Sequence, residues 1–244
     1  MSTHALLPCA LVLLAFAPGC RSSEPSSGLN STAMSAVTTD APAPLTLAAG
    51  AKPADTAPLS TGTVKAELGT LAPDFELPDL NGKLHKLSRY RGKIVVLEWF
   101  DPQCPFVTYA YDDGPLAEMR TRCTAAGIVW LGIFSTNAER ADSAPELVRD
   151  FAVRRRLMGT VLIDRSGTVG KSFGARTTPQ LFLINERGGL VYSGALDNAP
   201  MGRVERAAAK TNYIEAALDD LRSGHGVTTS STRPYGSAIV YSKP

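Results

Sequence analysis

The sequence predicts an α/β domain: a central mixed β-sheet flanked by helices, with a β-hairpin placed ahead of it. Three observations lead there. Between residues 93 and 164, apolar runs of strand length alternate with longer stretches of helical character. The alternation then gives way to two apolar runs joined across Arg187-Gly188-Gly189, and to one last amphipathic segment. Ahead of all of these, Asn81-Gly82 separates two short extended segments, a strong signal for a tight hairpin turn.

Taken in order, Ala72 to Pro78 and Leu84 to Leu87 are the arms of that first hairpin. Lys93 to Phe100 reads as a central strand buried on both faces, and Glu98 is the only charge within Ile94–Phe100. A helix is predicted to begin near Pro105 and to resume at Pro115, because proline suits a first helical turn. Gly114-Pro115 sets a break between the two pieces. Ile128 to Ser135 is a second strand. Ser143 is placed to cap a helix from Ala144 to Arg156. Val161 to Asp164 is a third strand, ended by the Ser166-Gly167 turn. Leu181 to Ile184 and Leu190 to Ser193 form the second hairpin. Asn212 to Leu221 is the last helix, with Ile214, Leu218 and Leu221 on one face.

Residues 1–20 read as an export signal. Ala5 to Ala17 is almost wholly apolar, short of the about 20 residues that cross a bilayer but the right length for a signal core. Ala17-Pro18-Gly19-Cys20 resembles a bacterial lipobox, which would make Cys20 the lipidated residue. It departs from that pattern in having Ala17 where leucine is usual, and no Lys or Arg precedes the apolar run. The competing reading is ordinary cleavage near Ala15-Phe16-Ala17. An acylated Cys20 would anchor the protein to a membrane without crossing it, in the periplasm or cell envelope. Residues 21–65 are rich in Ser, Thr, Ala and Pro and are predicted to be a disordered tether with a reach of roughly 5–6 Å × √n. The domain proper is assigned to residues 66–244.

Composition narrows the function. A formal charge of +2 argues against a nucleic-acid partner, and Arg154-Arg155-Arg156 falls where cations complement the end of a helix. Of the four cysteines, Cys9 leaves with the signal and Cys20 is lipidated or removed, so Cys104 and Cys123 remain. Two cysteines do not make a disulfide-stapled scaffold. His4, His85 and His225 are scattered and read as surface residues, so no metal and no cofactor is expected.

Cys104 carries the strongest chemical signal. It follows the central strand in Glu98-Trp99-Phe100-Asp101-Pro102-Gln103-Cys104-Pro105-Phe106-Val107. At the first turn of a predicted helix, unpaired N–H groups and the helix dipole favour a thiolate, the nucleophile toward both disulfides and peroxides. The competing reading is a buried, inert cysteine. Position 107, where a C-x-x-C motif has its second cysteine, is Val107. Cys123 is a poor substitute. One continuous helix over 105–123 would set the two cysteines about 28 Å apart, against the about 7 Å that a disulfide spans. Cys123 also shares a helical face with Leu116 and Met119, as a core residue would.

Several motifs in order make the chain resemble the thioredoxin-like redoxin family (AhpC/TSA, peroxiredoxin-like) over residues 69–241. Gly69-Thr70-Leu71-Ala72-Pro73-Asp74-Phe75 resembles the G-x-x-A-P-D-F opening of redoxin domains. The segment from Glu98 to Val107 is similar to a subgroup with the form E-W-F-N-P-x-C-P-F-V. Thr177-Thr178-Pro179-Gln180 matches the cis-proline segment, and Asn212-Tyr213-Ile214 and Pro234-Tyr235-Gly236 match the C-terminal region of the same subgroup. The resemblance implies a thioredoxin fold with a cis Thr178–Pro179 bond packed against Cys104. It also implies a substrate groove of Thr178, Pro179, Trp99 and Pro105, in which the backbone before Pro179 pairs with a substrate chain.

The resemblance further casts Glu98 as a buried acid that handles protons beneath Cys104; the alternative is that Glu98 pairs with a Lys or Arg. Ser237 stands where relatives in the subgroup often carry a cysteine. The peroxidase pattern P-x-x-x-T-x-x-C is absent, since Asp101 and Leu97 occupy its Thr and Pro positions, and the peroxidase arginine aligns with Pro179, not Arg176. A copper-type C-x-x-x-C is also absent, because Thr108 occupies its second cysteine position.

The function implied is that of an exported thiol oxidoreductase with one active cysteine. Cys104 would perform thiol–disulfide exchange or peroxide reduction, and an external thiol would resolve it. Its partners would be a thiol reductant or an oxidised protein thiol, with a peroxide as a further substrate. Two alternatives stand beside it: a one-cysteine peroxidase with an antioxidant role, and a non-catalytic module that keeps the groove for binding a protein.

Overall fold

A computed structural model describes residues 64–137, 144–204 and 208–241. The export signal with Cys20, the tether up to residue 63 and the Ser143 cap lie outside the described residues. In chain order the elements are β1 (Glu76–Pro78), β2 (Leu84–Lys86), β3 (Val95–Trp99), α1 (Pro105–Asp112), α2 (Leu116–Ala125), β4 (Val129–Ser135) and α3 (Ala144–Arg154). There follow β5 (Thr160–Asp164), α4 (Thr168–Phe173), β6 (Thr177–Thr178), β7 (Gln180–Ile184), β8 (Leu190–Gly194), α5 (Tyr213–Arg222) and β9 (Ser237–Ala238).

The first hairpin forms as expected. Leu77 faces His85 across β1 and β2, and Gly82 takes φ +81° in the turn. Asp79 Oδ1 accepts the N–H groups of Asn81 and Lys83 there, the local side-chain bonding that favours Asp in turns. His85 is not the simple surface residue expected from sequence. Its ring is held between Tyr90 Oη at 2.7 Å and Asp79 Oδ2 at 3.0 Å.

The central sheet has the order β5-β4-β3-β7-β8. β3, β4 and β5 run parallel, and β7 and β8 are antiparallel to their neighbours. This is the mixed sheet of a thioredoxin fold. β3 lies at its middle and is buried throughout, which explains why its sequence is nearly continuous in apolar residues. Val96 and Phe100 pack under α1, α2, α3 and α5 through Val107, Met119, Phe151 and Ile214. Val95, Leu97 and Trp99 face the other way, against Phe75, Leu87 and Phe173 of α4. Each large side chain so buried contributes roughly 1.5–3 kcal/mol of transfer free energy.

Two further features differ from the sequence expectation. Helix α4 and the two-residue strands β6 and β9 are too short to show a periodicity in the sequence. The basic run after α3 is also more than a solvated helix end. Arg155 donates to both carboxylate oxygens of Asp112 at 2.9 and 2.8 Å and lies 4.3 Å from the centroid of the Phe151 ring. It thereby ties the end of α3 to the end of α1.

Candidate functional site

β3 ends at Trp99 and α1 begins at Pro105, so the chain must turn within five residues. Asp101 makes the turn. Its carbonyl accepts the Cys104 N–H at 2.9 Å, and its carboxylate accepts the Gln103 N–H at 2.9 Å. Cys104 then caps α1 with extended backbone (φ −77°, ψ 121°), and its carbonyl accepts the Thr108 N–H at 3.0 Å. Pro105 opens the helix, where a missing N–H costs nothing. Cys104 therefore stands at the end of the helix where the dipole is positive.

Cys104 is 2 % exposed, and its thiol donates to the Thr178 carbonyl at 2.9 Å. The Thr178–Pro179 bond is cis, and both residues are buried. The structure thus brings Cys104, Thr178 and Pro179 together. Pro105 sits beside them and is exposed. Trp99 is wholly buried instead of standing at an open groove wall. Its indole N–H donates to Ser135 Oγ at 3.0 Å, and its ring packs 5.4 and 5.0 Å from those of Phe173 and Phe182.

Glu98 points to the same face of β3 as Phe100, beneath α1. It is fully buried and paired with a cation, the second of the two expectations. Tyr111 Oη of α1 donates to both carboxylate oxygens at 2.8 Å, and Trp130 Nε1 donates to Oε2 at 2.7 Å. Arg120 Nη1 of α2 lies 3.1 Å from the same oxygen and also donates to Tyr111 Oη at 2.9 Å. The remaining guanidinium nitrogens reach the carbonyls of Met158 and Thr160. The Glu98 carboxylate is thus bonded to Tyr111, Arg120 and Trp130, and none of these bonds reaches Cys104.

Burial pushes the Tyr111 phenol well above its usual range; Arg120 opposes that shift and Glu98 adds to it. Burial works against the Arg120 charge too, but Tyr111 and Glu98 outweigh it and hold the guanidinium pKa above its ordinary value. Nothing in the spacing of the sequence assigns Arg120 to Glu98; its mark there is Gly132, a glycine inside a strand. A Cβ there would come within 3.1 Å of the Arg120 guanidinium and of the Phe100 ring.

Cys123 lies in the buried face of α2 with Leu116 and Met119, and burial pushes its thiol up, with Arg222 and Arg122 opposing. Both described cysteines are free thiols. Val107 is core, and the Arg176 side chain is exposed. Ser237 is brought to the site by a strand that the sequence did not reveal. In β9 it is the register partner of Thr178, and Ala238 is that of Thr177. The C-terminal segment thereby lies along the backbone that precedes Pro179.

This mixed sheet, with a thiol after its central strand and against a cis-proline loop, defines a protein of thioredoxin fold. The model of the AhpC/TSA family matches residues 68–193, and the chain belongs to that family. The match includes Glu98, Cys104, Thr178 and Pro179 and ends ahead of the C-terminal segment.

Among curated proteins, the chain is similar to the thiol-disulfide oxidoreductase ResA of Geobacillus thermodenitrificans, with 31% identity over 129 residues, 50% of this chain and 65% of that protein. It is also similar to the chloroplastic peroxiredoxin Q of Triticum aestivum, with 30% identity over 146 residues, 54% and 62% of the two chains. It spans less than two thirds of the length of either. Among solved structures, a hypothetical protein, SMc02350, from Sinorhizobium meliloti 1021 superposes with a TM-score of 0.64 at 28% identity, over 74% of this chain and 97% of that one. An uncharacterized conserved protein from Geobacillus kaustophilus gives 0.63 at 26% identity, over 73% and 93%.

Proposed function

We propose that this protein is a thiol-dependent oxidoreductase in which Cys104 works without a second cysteine from its own chain. The observation that carries this reading is the placement of Cys104 as the cap of α1 against the Thr178 carbonyl, while Cys123 belongs to the core face of α2. In the first step the Cys104 thiolate attacks one sulfur of a disulfide. A Cys104 mixed disulfide forms as the substrate S–S bond breaks, and the other sulfur leaves as a thiolate that takes up a proton. An external thiolate then attacks the sulfur bound to Cys104, forms a new disulfide with it and returns Cys104 reduced.

Glu98 serves as a positioning residue in this scheme. Through Tyr111 and Arg120 it fixes α1 and α2 to β3, and so fixes where Cys104 stands. The names of the ResA relatives agree with the chemistry. The match of residues 98–107 to the E-W-F-N-P-x-C-P-F-V subgroup would make Asp101 this chain's variant of its Asn. The leader, the acylation of Cys20 and the tether over 21–65 would place the reaction outside the cytoplasm, with the domain held near a membrane.

Similarity to a peroxiredoxin Q favours a second reading, a one-cysteine peroxidase. There the thiolate attacks a hydroperoxide oxygen, the O–O bond breaks, and Cys104 sulfenic acid and an alcohol or water result. Two external thiols then return the cysteine, giving one disulfide and one water.

Both readings are tested on the purified chain. It is mixed with bis(2-hydroxyethyl) disulfide, or with hydrogen peroxide and a sulfenic-acid trap, and mapped by peptide mass spectrometry. Both readings expect the adduct on Cys104 and its disappearance in Cys104→Ser. Reaction with the disulfide alone selects the first, and reaction with peroxide alone selects the second. An unmodified Cys104 under both reagents would leave the non-catalytic binding module as the function.

A further inference from the structure

Among the described residues, the backbone beside the Cys104 thiol that an extended sulfur-bearing chain would lie against is Thr177–Thr178, whose Thr178 carbonyl accepts the thiol hydrogen bond. β9 of the same chain already pairs with that edge, and the Ile239 N–H continues the pairing to the Arg176 carbonyl at 2.9 Å. Gly236, at φ +119°, packs on the cis peptide so closely that a Cβ there would fall inside contact distance of the Thr178 carbonyl. Only glycine both tolerates that backbone and leaves that space.

The segment is pinned on both sides of β9. Before it, Tyr235 Oη donates to Asp197 at 2.6 Å, and its ring lies 6.0 Å from that of Phe106, two residues past Cys104. After it, Tyr241 Oη donates to the Ala175 carbonyl at 2.8 Å. Further upstream, Thr232 Oγ1 accepts the Ala195 N–H at 2.9 Å. Between the segment and the site lies a cavity about the size of one water molecule, lined by Trp99, Asp101 and Thr178 on one side and Ala238–Val240 on the other.

Adding a strand of a partner to an edge needs a free row of N–H and C=O groups. Here that row is taken, and its occupant is held by side chains at both ends. We propose that the C-terminal strap Pro234–Tyr241 is the specificity determinant of the Cys104 site, closing it to polypeptide disulfides and leaving it to low-molecular-mass oxidants. A small disulfide needs only an in-line approach of one sulfur and no backbone edge. The inference rests on the thiol reading of Cys104 given above.

The test compares two disulfides of different size, bis(2-hydroxyethyl) disulfide and insulin, on three proteins: the full chain, Gly236→Val and a chain ending at Arg233. The full chain is expected to form the Cys104 adduct with the small disulfide and to react slowly with insulin. In both variants the insulin rate should rise about tenfold or more, because the competent fraction is no longer limited by strap opening, while the small-disulfide rate changes far less. An equal ratio of the two rates in all three proteins, with the small disulfide reacting at Cys104, would overturn the strap proposal alone. A Cys104 that reacts with neither disulfide in any of the three would overturn the disulfide-exchange reading on which the strap proposal rests. Amide hydrogen exchange on the full chain guards against misfolded variants: the Ile239 amide should be protected, and exchange at the rate of an unstructured chain would also overturn the proposal.

Discussion

Two polar centres are buried under the same helix, and they use their atoms in opposite ways. Around Glu98, carboxylate, phenol, guanidinium and indole satisfy one another, and the spare guanidinium nitrogens end on carbonyls. At Cys104 the thiol's bond among the described residues is a weak one, to the Thr178 carbonyl. The first arrangement resists change, because removing any member leaves a buried partner unsatisfied. The second can change partners at little cost, which suits the nucleophile proposed for it. On that reading the two centres, six residues apart, divide the work: Glu98 and its partners set where α1 stands, and the helix presents the sulfur.

The largest effect expected from breaking this division is on chemistry. Cys104→Ser should abolish every oxidant adduct at the site, read by intact mass, while the far-UV spectrum is unchanged. Next comes Arg120→Met, which strands the Glu98 charge in the core. A loss of about 3–5 kcal/mol in urea unfolding is expected, with the double variant Glu98→Leu/Arg120→Met losing clearly less than the sum of the two singles. Glu98→Gln sharpens the same point. A positioning role predicts lower stability with adduct formation at Cys104 little changed in the folded protein; slowed chemistry at unchanged stability would instead make Glu98 a proton carrier.

Tyr111→Phe should cost about 1–3 kcal/mol, the penalty for leaving buried hydrogen-bond partners unpaired. The smallest effect is on pH dependence. Folding raises the pKa of both Cys123 and Tyr111, so each contributes stability that is complete below its unfolded value and falls as pH rises above it. Thermal melts should therefore weaken first above about pH 8.5 and more steeply above about pH 10. Cys123→Ala should flatten the lower part of that decline, and Tyr111→Phe should remove one share of the upper part, to which Tyr192, Tyr235 and Tyr241, also pushed up by burial, contribute as well.

What the sequence made legible follows the length over which each signal acts. β3 and the cap at Cys104 could be read because an apolar run, a turn and Pro105 lie next to one another. The first hairpin could be read from Asn81-Gly82 alone. The cis bond at Pro179 followed from the family motif, not from local chemistry. Arg120 could not be assigned to Glu98 from spacing, because the two meet only when α2 lies across β3; Gly132 marked the approach without naming the visitor. The strap was harder still. Ser237 and Ala238 form a strand of two residues, and its partner, Thr177–Thr178, is another strand of two, far back in the chain. Neither has a period to detect.

If Cys104 depends on a thiol from outside the chain, the stoichiometry of the reduced protein with hydrogen peroxide and with bis(2-hydroxyethyl) disulfide shows it, first without and then with an added low-molecular-mass thiol. The chain should take up one equivalent of at least one of these oxidants, stop with Cys104 as a trapped sulfenic acid or mixed disulfide, and resume only when thiol is supplied. A Cys104–Cys123 disulfide formed without added thiol, or continued turnover in its absence, would rule that dependence out.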